Sequence, residues 1–222
     1  MDDVRLAKAK QIRDEGGVPY AAQFDRTHTL TEAQSLKDNA TARIAGRIVL
    51  FRQMGKMTFA TLQDSTGRMQ IALKEDELGT DAYKHALKLI DLGDFIGIEG
   101  TFFTTKKGEP TILVAQWTML SKALRSLPEK WHGIADQETA WRQRYLDLIS
   151  NTDTMKRFQF RSSFVRLLRE YYWKNHFTEV ETPVLVNAAS GALATPFETH
   201  HEAYDMDIFL RIAPETFLKE CL

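Results

Sequence analysis

Three groups of side chains in this sequence have the types and spacing to do chemistry. The first is Glu215, which directly follows Pro214. A proline tolerates the first helical position because its missing N–H would be unpaired there anyway, so the carboxylate is predicted in a first helical turn, where free backbone N–H groups favour negative charge. There it complements its own helix dipole, or, if the preceding strand end opens into a cleft, receives an ammonium group. The second group is basic. Between Arg43 and Arg68 stand five cationic residues, Arg43, Arg47, Arg52, Lys56 and Arg68, against one acid, Asp64, which suits a phosphate backbone. Phe59 lies within that run, and its ring is a stacking platform if it faces out and core if it faces in; periodicity leaves both open. The third group is His200-His201. Adjacent strand residues point to opposite faces, so this pair cannot chelate one ion.

The elements that must position these groups follow from hydrophobic period. Residues 2–15 have helical composition and stop at Gly16-Gly17, and Thr31 is expected to cap a second short helix ending near Asp38-Asn39. From residue 40 to 122 the period is two, with strands expected at 41–52, 57–64, 67–74, 94–104 and 111–120 and turns at Gly55, Ser65-Thr66-Gly67 and Lys107-Gly108. Between the third and fourth strands a helix at 80–91 is predicted, with Tyr83, Leu87 and Ile90 on its inner face. Three strands, a helix and two strands is the order of an OB-fold barrel, whose open face commonly binds oligonucleotides. In the first strand Ile44, Ile48 and Leu50 are expected inside and Arg43, Arg47 and Val49 outside; in the third, Met69, Ile71 and Leu73 inside and Arg68, Gln70 and Lys74 outside.

Residues 123–136 read as an interdomain linker containing Pro128 and Trp131-His132-Gly133. A helix at 137–149 follows, with Trp141, Tyr145 and Leu148 inward, then a longer one at 154–174 capped at Asn151 or Asp153, whose Phe158, Phe164, Val165, Leu168 and Tyr172 form an apolar stripe. A strand from Phe177 ends at Pro183-Val184-Leu185. Near the end, Ile208, Leu210 and Ile212 alternate as a buried strand running into the Pro214 helix.

Composition narrows the classes. A chain of 222 residues with 43% hydrophobic content and thirteen Phe has ample material for packed cores, so a folded rather than disordered chain is expected. The formal net charge of −1 carries no global nucleic-acid signal, which leaves the local basic run to do any such work. A single cysteine, Cys221, excludes an intrachain disulfide or a multi-cysteine metal site. Neither a secretory leader nor a membrane-length apolar run is present, so a cytoplasmic protein with no membrane association is expected.

The run Ser190-Gly191-Ala192-Leu193-Ala194-Thr195-Pro196-Phe197, the Thr199-His200-His201 strand and the segment Phe209-Leu210-Arg211-Ile212-Ala213-Pro214-Glu215 closely resemble the lysine-binding part of class II lysyl-tRNA synthetases. Gly46-Arg47-Ile48, Met54-Gly55-Lys56, Phe59-Ala60-Thr61-Leu62-Gln63-Asp64 and Gly67-Arg68-Met69-Gln70 resemble that family's anticodon-binding domain. The helix and strand up to Pro183 are similar to motif 1 of class II synthetases, with His176 where the family usually has Gly, and Thr195 stands where many relatives have Arg. The resemblance implies an α+β protein: an N-terminal helical appendage (1–39), an OB-fold anticodon-binding domain (40–122), the linker (123–136) and the start of a class II antiparallel-sheet catalytic domain (137–222).

It further implies that Arg52, Phe59, Gln70 and Glu109 contact the uridines of a lysine anticodon, that Gly191 and Glu215 hold the lysine α-amino group, and that a homodimer forms through motif 1. The implied reaction uses ATP and Mg²⁺ to make lysyl-adenylate and then charges tRNA(Lys). The ATP and Mg²⁺ ligands belong to motifs 2 and 3, which are expected beyond Leu222, and no Gly-x-x-x-x-Gly-Lys phosphate loop replaces them. This chain alone is therefore expected to hold no catalytic residue and to be inactive in lysine activation. Aspartyl- and asparaginyl-tRNA synthetases share the domain order but usually carry an amide residue where this chain has Glu215; a non-catalytic OB-fold RNA-binding module is the other alternative.

Overall fold

The computed structural model describes residues 2–127, 134, 136–188 and 194–222. They form two compact units, Met1–Asn151 and Thr152–Leu222.

The first unit is built on β1 (Thr41–Met54), β2 (Met57–Gln63), β3 (Arg68–Lys74), β4 (Phe95–Thr104) and β5 (Pro110–Ser121), closed into a barrel in the order β1-β2-β3-β5-β4. All neighbours are antiparallel except β3 and β5, which run parallel, so the barrel has no open edge. Alternation fills the inside: Ile48, Leu62, Ile71, Leu73, Ile98 and Ile112 are all sealed from solvent. Full burial of such side chains contributes roughly 1.5–3 kcal/mol each. Gly100 is required where β4 passes β5, since a Cβ there would lie 2.1 Å from the Leu113 carbonyl oxygen.

β1 departs from simple alternation. Ile48 pairs with Leu62, but the next pair is Leu50 with Thr61, so Val49 is an unmatched bulge residue. Its extra position reverses the faces. Val49 turns in and is 5% exposed, while Leu50 is half-buried on the outer wall and Arg52 is exposed. The inward place expected for Leu50 and the outward place expected for Val49 are thereby exchanged.

Helices pack against the barrel. α1 (Asp3–Asp14) and α2 (Leu30–Ala33) precede the barrel; α3 (Glu75–Leu78) and α4 (Thr80–Leu89) lie between β3 and β4. α4 buries Tyr83, Ala86 and Leu89, with Ile90 just past its end, while Leu87 is only half-buried. The cap of α2 is Thr29, not Thr31: the Thr29 hydroxyl accepts from the Glu32 N–H and the Glu32 carboxylate accepts from the Thr29 N–H at 2.8 Å, a reciprocal capping box. Thr31 instead donates its hydroxyl to the Thr66 carbonyl at 2.9 Å.

α1 is tied down by charge. Arg5 donates to the Leu92 carbonyl at 2.9 Å and Lys8 to Asp91 at 2.7 Å. Beneath them the fully buried Lys122 ammonium meets Asp94 at 2.6 Å and Asp91 at 2.5 Å. Burial pushes the Asp94 carboxyl above its ordinary value despite Lys122. For Asp91 burial acts in the same sense, but the bonds from Lys122 and Lys8 outweigh it and hold the carboxyl below its ordinary value.

After the barrel come α5 (Gln137–Arg142) and α6 (Arg144–Ser150). The single helix expected at 137–149 is broken at Gln143, whose ψ of 54° resets the helical phase. Trp141 and Tyr145 are consequently exposed, not inward. The Trp131-His132-Gly133 run and Gly191 lie outside the described residues.

The second unit holds α7 (Thr152–Lys174), a three-stranded antiparallel sheet of β6 (Leu185–Val186), β7 (Phe197–His201) and β8 (Met206–Leu210) in the order β6-β8-β7, and α8 (Glu215–Glu220). The apolar stripe of α7 is present and partly exposed: Phe164 is 56% exposed and Tyr172 46%. β8 ends at Leu210, so Ile212 falls outside it, and its side chains are half-buried or exposed where a buried strand is expected. Residues 177–183 pair in no strand ladder, and of the segment expected as a strand only Leu185 joins a sheet, with Val186 beside it. A strand needs a neighbour to hydrogen-bond, which alternation in one segment does not provide.

α7 ends in a Schellman turn. The Phe177 N–H donates to the Tyr172 carbonyl at 3.0 Å and the His176 N–H to the Trp173 carbonyl at 3.1 Å, with the Tyr172 and Phe177 rings edge-to-face at 5.3 Å. This closure requires a left-handed residue, and His176 supplies it with φ +65°.

Candidate nucleic-acid interface

The outer wall of β1, β2, β3 and β5 carries two adjacent rows of side chains. Arg52 on β1 is the direct partner of Phe59 on β2, which pairs with Ala72 on β3 and through it with Leu113 on β5. One row over, Leu50 pairs with Thr61, Thr61 with Gln70 and Gln70 with Thr111. Phe59 and Gln70 are therefore diagonal neighbours on one face, within reach of a single bound nucleotide. Both are half-buried, whereas Thr58 and Ala60 on either side of Phe59 are sealed in the interior. The ring thus belongs to the outer wall and not to the core.

Gln70 is held. Its amide nitrogen donates to the Thr111 hydroxyl at 2.8 Å, and that hydroxyl donates in turn to the Glu109 carbonyl at 3.1 Å. Glu109 sits in the β4–β5 hairpin, its N–H donating to the Thr105 hydroxyl and its carbonyl accepting from the Thr105 N–H, both at 3.0 Å. The backbone of Glu109 is fixed while its side chain is exposed. All four predicted interface residues, Arg52, Phe59, Gln70 and Glu109, thus occur on this wall or on the hairpin that leads into it.

The basic run is only partly available. The Arg47 guanidinium lies 4.3 Å over the Phe95 ring and donates to the Gly93 carbonyl at 3.1 Å; Arg43 lies over the Phe24 ring at 5.1 Å and reaches Glu99 at 3.7 Å. Lys56 is loosely paired with Glu75 at 3.9 Å and Arg68 donates to Gln63 at 2.9 Å. Arg52 has no such partner among the described residues, and on the hairpin Lys106 and Lys107 are exposed cations that sequence reading passed over. Their signal was adjacency to the Gly108 turn, whose φ of +80° closes the hairpin. At the other end Asp64 anchors the β2–β3 turn. Burial opposes its charge, but bonds from the Thr66 hydroxyl and from the Leu30, Gly67 and Thr66 N–H groups outweigh burial and hold its carboxyl below the ordinary value.

In the second unit Glu215 lies in the first turn of α8 as expected, but it is itself the first helical residue, and Pro214, expected there, takes the capping position before it. Its carboxylate is 65% exposed and accepts from Lys219 at 2.7 Å. His200 faces Asp207 across the β7–β8 ladder at 2.9 Å, and the His201 ring packs against Tyr204 at 4.8 Å; these are structural contacts. No group of three or more His, Cys, Asp or Glu among the described residues is placed to hold a metal ion. Arg211 was missed by sequence reading. Its guanidinium donates to the Thr182 carbonyl at 2.5 Å, to the Thr182 hydroxyl and to the Pro183 carbonyl at 3.1 Å, and its N–H to the Val184 carbonyl at 2.9 Å. It fastens the Pro183 segment to the end of β8. A lone charge amid the apolar run Phe209-Leu210-Arg211-Ile212 was the available signal.

Residues 42–120 match a family model described as an OB-fold nucleic acid binding domain, and residues 136–222 match one described as tRNA synthetases class II (D, K and N). Together the two matches place the chain with the class II aminoacyl-tRNA synthetases. Similar over nearly the whole chain are the lysine–tRNA ligases of Carboxydothermus hydrogenoformans (48% identical over 223 residues, 99% of this chain and 45% of that protein), Thiobacillus denitrificans (48%, 97% and 44%) and Enterococcus faecalis (45%, 99% and 46%). The chain belongs to the lysyl-tRNA synthetase family and corresponds to the N-terminal part of its members. It spans about 45% of the length of the relatives it matches.

Proposed function

We propose that the function of this chain is that of the lysine–tRNA ligases it resembles: activation of lysine and charging of tRNA(Lys), with the barrel reading the anticodon. The lysine carboxylate attacks the α-phosphate of ATP and expels pyrophosphate; the tRNA 3′-hydroxyl then attacks the acyl carbon of the adenylate and expels AMP. In this reading Phe59 stacks on an anticodon base, Arg52 meets the phosphate backbone, and Gln70 and Glu109 read base edges. Gly191 and Glu215 hold the lysine α-amino group, Glu215 exchanging Lys219 for the ligand ammonium. Among the described residues no group of three or more His, Cys, Asp or Glu is placed to hold Mg²⁺. The exposed apolar face of α7 is the surface a homodimer would cover, and the setting is the cytoplasm, where translation takes place.

The observation that carries this reading is the Arg52–Phe59 pair on the outer wall with Gln70 diagonal to the ring. Its test is fluorescence anisotropy of the chain with an anticodon stem-loop bearing UUU and with the same stem-loop bearing the aspartate anticodon GUC. Preference for UUU is expected. Equal binding would favour a general RNA-binding module, and preference for GUC would favour an aspartyl-type enzyme.

A further inference from the structure

Thr111 is wholly buried, and its hydroxyl lies between the Gln70 side chain and the Glu109 backbone carbonyl. A threonine hydroxyl has one proton to give and two lone pairs with which to accept. The Glu109 carbonyl, 3.1 Å away, can only accept, so the Thr111 proton is directed there. Toward Gln70, 2.8 Å away on the adjacent parallel strand, the same oxygen therefore accepts, and the group it accepts from must be the amide NH₂. The other end of that amide, the carbonyl oxygen, is left facing the outer wall beside Phe59. The orientation follows from the donor and acceptor inventory, independently of how amide oxygen and nitrogen are assigned.

We propose that Thr111 is a positioning residue for base recognition: by orienting Gln70 with its carbonyl outward, it makes the wall select a base whose N3 position donates a hydrogen bond over one whose N3 only accepts. At the centre of its Watson–Crick edge uracil presents N3–H; cytosine presents a bare N3 acceptor there, with its N4–H₂ donor displaced to one side. A fixed outward carbonyl bonds the first and repels the second. Were the amide free to turn over, it would satisfy either base. The inference rests on the anticodon reading for its consequence in RNA, but the amide orientation itself is a property of the free protein.

The experiment uses the chain with Thr111→Val, which keeps shape and removes the hydroxyl, and Thr111→Ser, which keeps the hydroxyl. Affinities are measured for the UUU stem-loop and for three stem-loops with one uridine replaced by cytidine. In the unsubstituted chain at least one replacement is expected to weaken binding. In T111V that uridine-over-cytidine ratio falls about five- to tenfold, the worth of one oriented hydrogen bond, and T111S retains it. A merely structural role would weaken all four stem-loops equally and leave the ratio alone, which would overturn the proposal.

Side-chain amide NMR of the RNA-free chain supplies the second measurement. Slowed solvent exchange of the Gln70 NH₂ protons is expected, and its loss in T111V; exchange at the rate of a free amide would overturn the orientation even if T111V folds poorly. Protected Gln70 protons together with no uridine preference in the unsubstituted chain would overturn the anticodon reading, and the specificity role with it, while the orientation stands.

Discussion

Arg52 and Phe59 are direct cross-strand partners on the outer wall of the barrel, and they face the same way only because Val49 is a bulge residue. Without that extra position, residue 52 would share a face with Ile48 and point its guanidinium into the core. The bulge converts an even-numbered inward place into an outward one two residues before the strand ends. A local irregularity of one residue thus produces a cation and an aromatic ring side by side at the rim, the combination that suits a phosphate and a base of one nucleotide.

The two members of that pair should fail differently. Arg52→Ala is expected to lower the slope of log affinity against log salt by about 0.7, the value for one single-strand phosphate contact. Phe59→Ala is expected to leave the slope unchanged and weaken UUU stem-loop binding by roughly 1–3 kcal/mol. Anisotropy titrations at several salt concentrations separate the two, and unaltered binding by the Phe59 variant would remove the ring from the interface.

His176 adopts a left-handed conformation that a Cβ makes unfavourable. His176→Gly should stabilise the α7 terminus by about 0.5–1 kcal/mol, because the Schellman bonds are backbone bonds and survive the change. Urea unfolding checks this; a destabilised variant would mean that the imidazole makes a contact outweighing the strain.

Acid should weaken the first unit through Asp64 and Asp91. Both have folded-state carboxyls below the ordinary 3.8, so their stabilisation is complete above that pH and is lost as pH falls through the lower folded values. Asp94 has the opposite sign. Its raised carboxyl adds stability below 3.8 that is lost as pH rises through its folded value. The Asp64→Asn variant should therefore show a flatter decline of melting temperature below about pH 4 than the unsubstituted chain. Superimposable acid limbs would show that the carboxyl titrates alike in both states.

Removing Lys122 leaves Asp94 as a buried charge without its counterion. Lys122→Met should destabilise the barrel by about 3–5 kcal/mol, and adding Asp94→Asn should recover part of that loss by deleting the stranded charge. Chemical denaturation of the single and double variants measures the coupling, and simple additivity would mean that the two groups do not interact.

The barrel itself was legible in the chain. Strand positions, the intervening α4 and the inward set Met69, Ile71 and Leu73 follow from period two and turn residues, which are local properties that a folded neighbour only reinforces. Phe59 was ambiguous for the same reason: one segment shows that its side chains alternate, not which side the core is on. Helix ends were less legible, as Thr29 took the cap expected at Thr31 because its partner Glu32 lies three residues on and Thr31 is engaged by the β2–β3 turn.

What tertiary structure alone decided are relations between distant residues. The phase of β1 depends on pairing with β2 past Val49, the tilt of Gln70 on a hydroxyl 41 residues away, and the role of Arg211 on carbonyls near Pro183. The pattern of Phe164, Leu168 and Tyr172 specified an apolar face of α7 but not what covers it, since periodicity records that a side chain avoids water and says nothing of the surface it meets. Registers, hydrogen-bond directions and covering partners are set by strands and helices meeting in space.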